Sequence, residues 1–245
     1  MVYYWIFQQS GGSLLNSILS WLRQLKFGSL LDTVLIVAAS LICITFHETA
    51  HGLVAHWLGD DTAKRAGRLT LNPVRHIDPV GLVMMAVLKF GWAKPVPIDM
   101  RNFRRPKEGM ALTALAGPVS NVLLSAAALL VRSVLIFFYQ YRGGGAVMEG
   151  VITFFEYIAV ISAGLAVFNV IPISPLDGSK VFAAILPDKT YLKLMYYERY
   201  GMILLVILMF AGLFNTPLIY LRTGLLNGLQ AVTGFPYTIL VHFFA

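Results

Sequence analysis

The segment 30–58 decides most about what this chain can fold into. It runs from Thr33 to Phe46 without a charged residue, then places His47, Glu48 and His51 in apolar surroundings. A hydrocarbon core takes roughly 20 residues of helix to cross, so this segment is long enough to cross and protrude. Lipid offers no water to the backbone, and only a helix satisfies its own N–H and C=O groups along such a run. An ionisable residue near the bilayer centre costs roughly 2.5 to 3.5 kcal/mol on insertion scales, so three together call for a compensating partner.

The rest of the chain repeats the pattern. Apolar runs at 110–138 (interrupted by Gly117 and Pro118), 151–172 and 202–221 predict further spans, and a more doubtful one at 225–244 is broken by Gly234 and Pro236. Of 245 residues, 58% are hydrophobic and 13% charged, and the mean hydropathy of +0.72 is too high for a soluble globule to hide in one core. The expectation is an all-α polytopic membrane protein with four to five transmembrane helices. The apolar run 81–90 is too short to span and is followed by Gly91, Pro95 and Pro97, which predicts a re-entrant or β element between the first two spans. Three parts follow: an N-terminal interfacial amphipathic helix over 1–29, a catalytic membrane core over 30–190 and C-terminal membrane helices over 191–245. Within the first part, Leu14, Leu15, Ile18, Trp21, Leu22 and Leu25 recur at helical spacing among polar residues. No basic n-region or cleavage site opens the chain, so the first span is expected to act as the insertion signal.

A net charge of +7 raises the question of nucleic acid. Ten of the 19 basic residues lie between Lys64 and Lys107, beside membrane segments, as the positive-inside rule places them in a cytoplasmic loop. Lipid phosphate, not nucleic acid, is the expected partner of Arg101, Arg104, Arg105 and Lys107. With this loop inside, the first and third spans end at one face, which brings His47, Glu48 and His51 towards the leaflet that holds 172–177. The single cysteine, Cys43, excludes an intramolecular disulfide and any multi-cysteine metal knuckle, and reads as a small buried hydrophobe.

His47-Glu48-Thr49-Ala50-His51 matches H-E-x-x-H. Two histidines four apart project from one helix face and can chelate one Zn²⁺, with the glutamate beside them free to act as a base. His56 points the opposite way round the helix and cannot join them; His76 reads as a loop hydrogen-bonding residue. A catalytic zinc takes three protein ligands and leaves a fourth position for water, so the motif is one ligand short. Asp177, directly after the third span, is the best candidate, although from the residues alone an N-cap for the helix that starts near Gly178 is the favoured reading.

The combination resembles the site-2 protease family of intramembrane metalloproteases. Phe46-HETAH-Gly52 matches its zinc motif, Ala116-Gly117-Pro118-Val119-Ser120-Asn121 its A-G-P-x-x-N signature, and Asn169-Val170-Ile171-Pro172 with Leu176-Asp177-Gly178 its N-x-x-P and L-D-G signature. Asn72-Pro73, Asp78-Pro79-Val80-Gly81 and Trp92-Ala93-Lys94-Pro95-Val96-Pro97 resemble the connecting region of its small bacterial and archaeal members. The resemblance covers residues 40–185 and finds no room for a PDZ-sized insertion or a CBS-like extension.

The resemblance implies one Zn²⁺ per chain, with His47, His51 and Asp177 as ligands, Glu48 as the base, Asn169 facing the reacting carbonyl or the substrate strand, and Asn121 as a second substrate-binding position. It implies hydrolysis of peptide bonds in or near transmembrane segments of a membrane-anchored protein substrate, in a prokaryotic plasma membrane, with the active site towards the cytoplasmic leaflet. The alternative is a catalytically idle membrane scaffold of the same fold.

Overall fold

A computed structural model describes residues 30–81, 83 and 93–244, which are about 80% helical and contain no strand. The interfacial helix expected over 1–29 lies outside the described residues, as does most of the expected element over 81–90. What is described of the latter is its base: Ile77 and Ala93 form an antiparallel bridge, and the Lys94 N–H donates to the His76 carbonyl at 3.0 Å.

Among the described residues, three helices are long and apolar enough to cross a membrane: α1 (Leu30–Trp57), α3 (Pro106–Arg142) and α4 (Ala146–Asn169). Between α1 and α3 come a short helix α2 (Thr62–Arg65) and 3₁₀ turns at Pro73–His76 and Met100–Asn102; after α4 come α5 (Asp177–Ile185), α6 (Asp188–Phe210), α7 (Asn215–Thr233) and α8 (Phe235–Phe244). The glycine turn at 143–145 separates α3 from α4 as expected, with Gly143 at φ +73° closing α3.

The fourth expected span, 202–221, is not one helix. Gly212 at φ +72° ends α6: its N–H donates to the Met209 carbonyl at 3.0 Å and the Leu213 N–H reaches back to the Leu208 carbonyl at 3.3 Å. That is a Schellman stop, which satisfies the last carbonyls of the helix and turns the chain. The expectation of four to five spans thus reduces, among the described residues, to three helices that meet the length and hydropathy of a span. The break at Gly234 expected from Gly and Pro is present between α7 and α8.

Helix α3 is the axis of the molecule and packs against α1, α4, α5, α7 and α8. Small residues make its approach to α1 and α4 close: Ala39, Cys43, Ala128 and Ala159 are buried together with Leu129, Tyr157 and Ile158. The Ser125 hydroxyl donates across the α3–α4 seam to the Ala159 carbonyl at 2.8 Å. Large apolar side chains such as Val34, Leu123, Val131 and Val151 point outwards and are exposed, as lipid-facing positions require.

The polar connection between α1 and α3 is knotted around Asp60, which is wholly buried. Its carboxylate accepts from the Thr62 hydroxyl, the Asp99 N–H at 2.7 Å and the Asn102 carboxamide at 2.7 Å. Arg68 donates to the Lys94 carbonyl at 2.6 Å, and Thr49 of α1 donates to the Thr70 carbonyl at 2.8 Å, so the loop is tied to the motif helix itself.

Candidate metal centre

His47 and His51 lie one turn apart on α1 and are both buried. Their rings meet edge to face with Nε2 atoms 3.0 Å apart. Asp177, the first residue of α5, brings its Oδ2 to 3.1 Å from His47 Nε2 and 3.2 Å from His51 Nε2. The three atoms form a nearly equilateral triangle. Three ligands of one tetrahedral zinc, with bonds near 2.0 to 2.1 Å, stand about 3.3 Å apart. Asp177 Oδ2 is buried and has no hydrogen-bond partner among the described residues, although it is this close to both imidazoles. Such an orphan is costly unless something else satisfies it, and donors that converge on a common point have this arrangement. The donor set of two imidazoles and one carboxylate suits a divalent ion of the zinc type, and these three residues form a group able to hold a metal ion.

Each imidazole is oriented from behind. His51 Nδ1 lies 2.7 Å from the Thr113 carbonyl, which only accepts, so Nδ1 carries the proton and Nε2 presents its lone pair. Pro118, inside α3, has no N–H for the helix ladder. His47 Nδ1 lies 3.1 Å from the carboxamide of Asn121, which contacts the Ser162 hydroxyl at 3.3 Å.

Glycines set how closely the elements approach. A Cβ on Gly117 would stand 2.5 Å from Cε1 of both His47 and His51 and from His51 Nε2. The same construction at Gly178 would run into the Val170 and Ile171 carbonyls, so glycine there lets the start of α5 seat Asp177 against the end of α4.

Glu48 projects to the other side, towards the loop. Its Oε2 accepts the Val96 N–H at 2.8 Å, and its Oε1 is not hydrogen-bonded among the described residues. Asn169 is half-buried; its carboxamide N–H donates to the Leu165 carbonyl of its own helix at 3.0 Å, and none of the described hydrogen bonds joins it to His47, Glu48, His51 or Asp177. Asn121 is wholly buried behind His47. His56 pairs with Asp61, apart from the site, and the buried His76 contacts the Thr70 carbonyl at 2.9 Å. Asp78 accepts from the Gly81 N–H at 2.9 Å.

The model of peptidase family M50 matches residues 133–211. Among curated proteins, "Putative zinc metalloprotease YwhC" of Bacillus subtilis is 38% identical over 183 residues, 75% of this chain and 81% of the relative. The chain belongs to peptidase family M50. Further M50-type relatives carry the name "Putative zinc metalloprotease Rip2": that of Mycolicibacterium smegmatis is 26% identical over 84% of this chain and 77% of its own length, and that of Mycobacterium tuberculosis 26% over 74% and 69%. No solved structure matches. The likeness to the site-2 protease family read from the motifs is thereby established, and with three apolar helices of spanning length this M50 peptidase is a membrane protein.

The M50 site includes groups that the motifs do not announce. Val96 acts through its backbone N–H and Thr113 through its carbonyl, neither of which has a side-chain signature. Ser162 is the one serine of an apolar helix, and its only sequence signal is that a polar group at such depth needs a partner.

Proposed function

We propose that this M50 peptidase is an intramembrane zinc endopeptidase that hydrolyses peptide bonds in or near the transmembrane segment of a membrane-anchored protein. The observation that carries the reading is the triangle of His47 Nε2, His51 Nε2 and Asp177 Oδ2, with edges of 3.0 to 3.2 Å and both histidines on a helix of spanning length. The zinc metalloprotease names of its relatives point to the ion.

In this reading His47, His51 and Asp177 hold one Zn²⁺ per chain. Zinc held in such a site supplies Lewis acidity and lowers the pKa of water towards about 7. Glu48 is the general base. The Val96 N–H fixes its Oε2 and leaves Oε1 to take a proton from the attacking water and pass it to the leaving amine. Asn169, the half-buried last residue of α4, has a carboxamide that can leave its intrahelical bond and meet the reacting carbonyl or the substrate strand. The substrate helix must unwind locally, because an intact helix keeps each carbonyl bonded and covered. The catalytic core extends over 30–190, followed by C-terminal membrane helices over 191–245. The basic loop between α1 and α3 supports, by the positive-inside rule, a site towards the cytoplasmic leaflet, and the reading takes the membrane to be a prokaryotic plasma membrane. An idle scaffold of the same fold has no need of three converging donors and an anchored base, and is not favoured.

The test is Glu48→Gln. Reconstituted in liposomes with single-span membrane proteins, the parent chain is expected to cleave, and the variant to keep its zinc while cleavage falls by about 10² to 10⁴. Cleavage that survives the substitution would remove Glu48 from the chemistry and the proposal with it.

A further inference from the structure

A line of buried polar groups runs away from His47 into the protein, and nothing in the hydrolytic chemistry uses it. Asn121 and Ser162 are both wholly buried and Cys43 is 0% exposed. His47 Nδ1 lies 3.1 Å from Asn121 Nδ2, and the Ser162 hydroxyl donates to Asn121 Oδ1 at 3.3 Å. Ser162 lies beside Cys43, whose thiol donates to the Ile158 carbonyl at 3.6 Å.

The polarity of this line is set at its two ends. Ile158 offers a carbonyl, which only accepts, so Cys43 donates to it. At the other end a metal ligand must offer an unprotonated Nε2, so a neutral His47 carries its single proton on Nδ1 and donates. With the carboxamide of Asn121 turned over from the orientation shown, every link between these ends can donate in the same direction: Nδ1–H of His47 to the Asn121 oxygen, the Asn121 N–H to Ser162 Oγ, the Ser162 hydroxyl towards Cys43 Sγ, and the thiol to Ile158. A half-turn of the carboxamide about χ2 exchanges its oxygen and nitrogen at the same two contacts. In the orientation the structure shows, the carboxamide nitrogen faces His47 and Ser162 spends its hydrogen on Asn121, which would leave the proton of a neutral His47 on Nε2, where no metal could bind.

We propose that Asn121, held by Ser162, is a positioning residue that presents its carboxamide oxygen to His47 and so selects the Nδ1–H tautomer in which Nε2 is free to bind the metal. The counterpart on His51 is the Thr113 carbonyl, which enforces the same tautomer without a choice. Asn121 therefore acts on the ion through His47 and is enclosed by protein, in contrast to the substrate-binding role that the motif resemblance implies for it. The proton count of His47 does not change: the neutral ring keeps one hydrogen, and Asn121 decides which nitrogen holds it.

The inference rests on the reading that this site binds zinc, and one experiment separates the two. Zinc affinity of the full chain in detergent is measured by chelator competition for the parent, Asn121→Asp, Asn121→Leu and Ser162→Ala. A parent that binds no zinc defeats the metal reading itself. With zinc bound by the parent, Asn121→Leu is expected to weaken it about 10- to 100-fold, Ser162→Ala by a smaller factor, and Asn121→Asp to hold it within about threefold, because a carboxylate also accepts from Nδ1–H. Equal affinity in Asn121→Leu, or equal loss in Asn121→Asp and Asn121→Leu, overturns the inference. Nitrogen-15 spectra of histidine-labelled, zinc-loaded parent protein give a second reading that needs no variant to fold: His47 protonated at Nδ1 supports the assignment, and any other state refutes it.

Discussion

Gly117 stands against His51 so closely that a Cβ at that position would lie 2.5 Å from His51 Nε2. The A-G-P turn of α3 is therefore a wall of the metal site, and its glycine is there for room. Gly117→Ala is expected to push the imidazoles apart, lose zinc binding in a chelator assay and lower stability by about 1 to 3 kcal/mol, as overpacking does. Undiminished zinc affinity in this variant would mean that α3 is not held against the histidines.

The bond from the Val96 N–H to Glu48 Oε2 predicts a separation of chemistry from binding. Val96→Pro removes the donor between two prolines that already shape the segment. Zinc content is expected to stay at the parent level while cleavage falls about 10²-fold, the scale on which misplacing a reacting group acts. Equal loss of both would show that the segment supports the metal site as a whole.

At Gly178 the constraint comes from backbone, since a Cβ would meet the Val170 and Ile171 carbonyls. Neither carbonyl can swing aside as a side-chain tip would. Gly178→Ala is expected to displace Asp177 and destabilise the protein by about 3 kcal/mol. Thermal unfolding followed by circular dichroism, with and without zinc, checks it: the stabilisation by zinc should shrink along with the melting temperature.

What could be read from sequence alone divides along physical lines. The pair His47 and His51 is a local signal, because four residues of helix bring two side chains to one face whatever the rest of the chain does. The three long apolar helices are equally local. Asp177 needed tertiary structure: its place beside the imidazoles depends on α5 packing against α3 and on Gly178 fitting under Val170, and from spacing alone it reads first as a cap. The split at Gly212 was missed because one glycine in an apolar stretch is compatible with a continuous helix until the carbonyls of Leu208 and Met209 are seen to be bonded by the turn. The role of Asn121 is visible only once Ser162 of α4 closes its other end.

The connection between α1 and α3 predicts a pH dependence outside the membrane-spanning segments. Burial works against the charge on Asp60, and the hydrogen bonds from Thr62, the Asp99 N–H and Asn102 outweigh it, which holds the carboxyl below its ordinary value of 3.8. A lowered folded value gives stability that is present above the unfolded value and is lost as pH falls through the folded one. Unfolding measured from pH 6 down to pH 3 should show this loss in the parent and a flatter profile in Asp60→Asn, which should also be less stable at neutral pH by about 2 kcal/mol, within the range for hydrogen bonds to a charged group. Parallel profiles would exclude Asp60 as the source.

The most direct test of the account is X-ray absorption at the zinc edge on purified parent protein and Asp177→Ala. The parent is expected to hold one zinc in a shell of nitrogen and oxygen at about 2.0 to 2.2 Å with the outer-shell signature of two imidazoles, and Asp177→Ala to lose the ion or the carboxylate contribution. A sulfur scatterer at about 2.3 Å, or an unchanged shell in Asp177→Ala, would contradict the assignment of His47, His51 and Asp177 as the metal ligands.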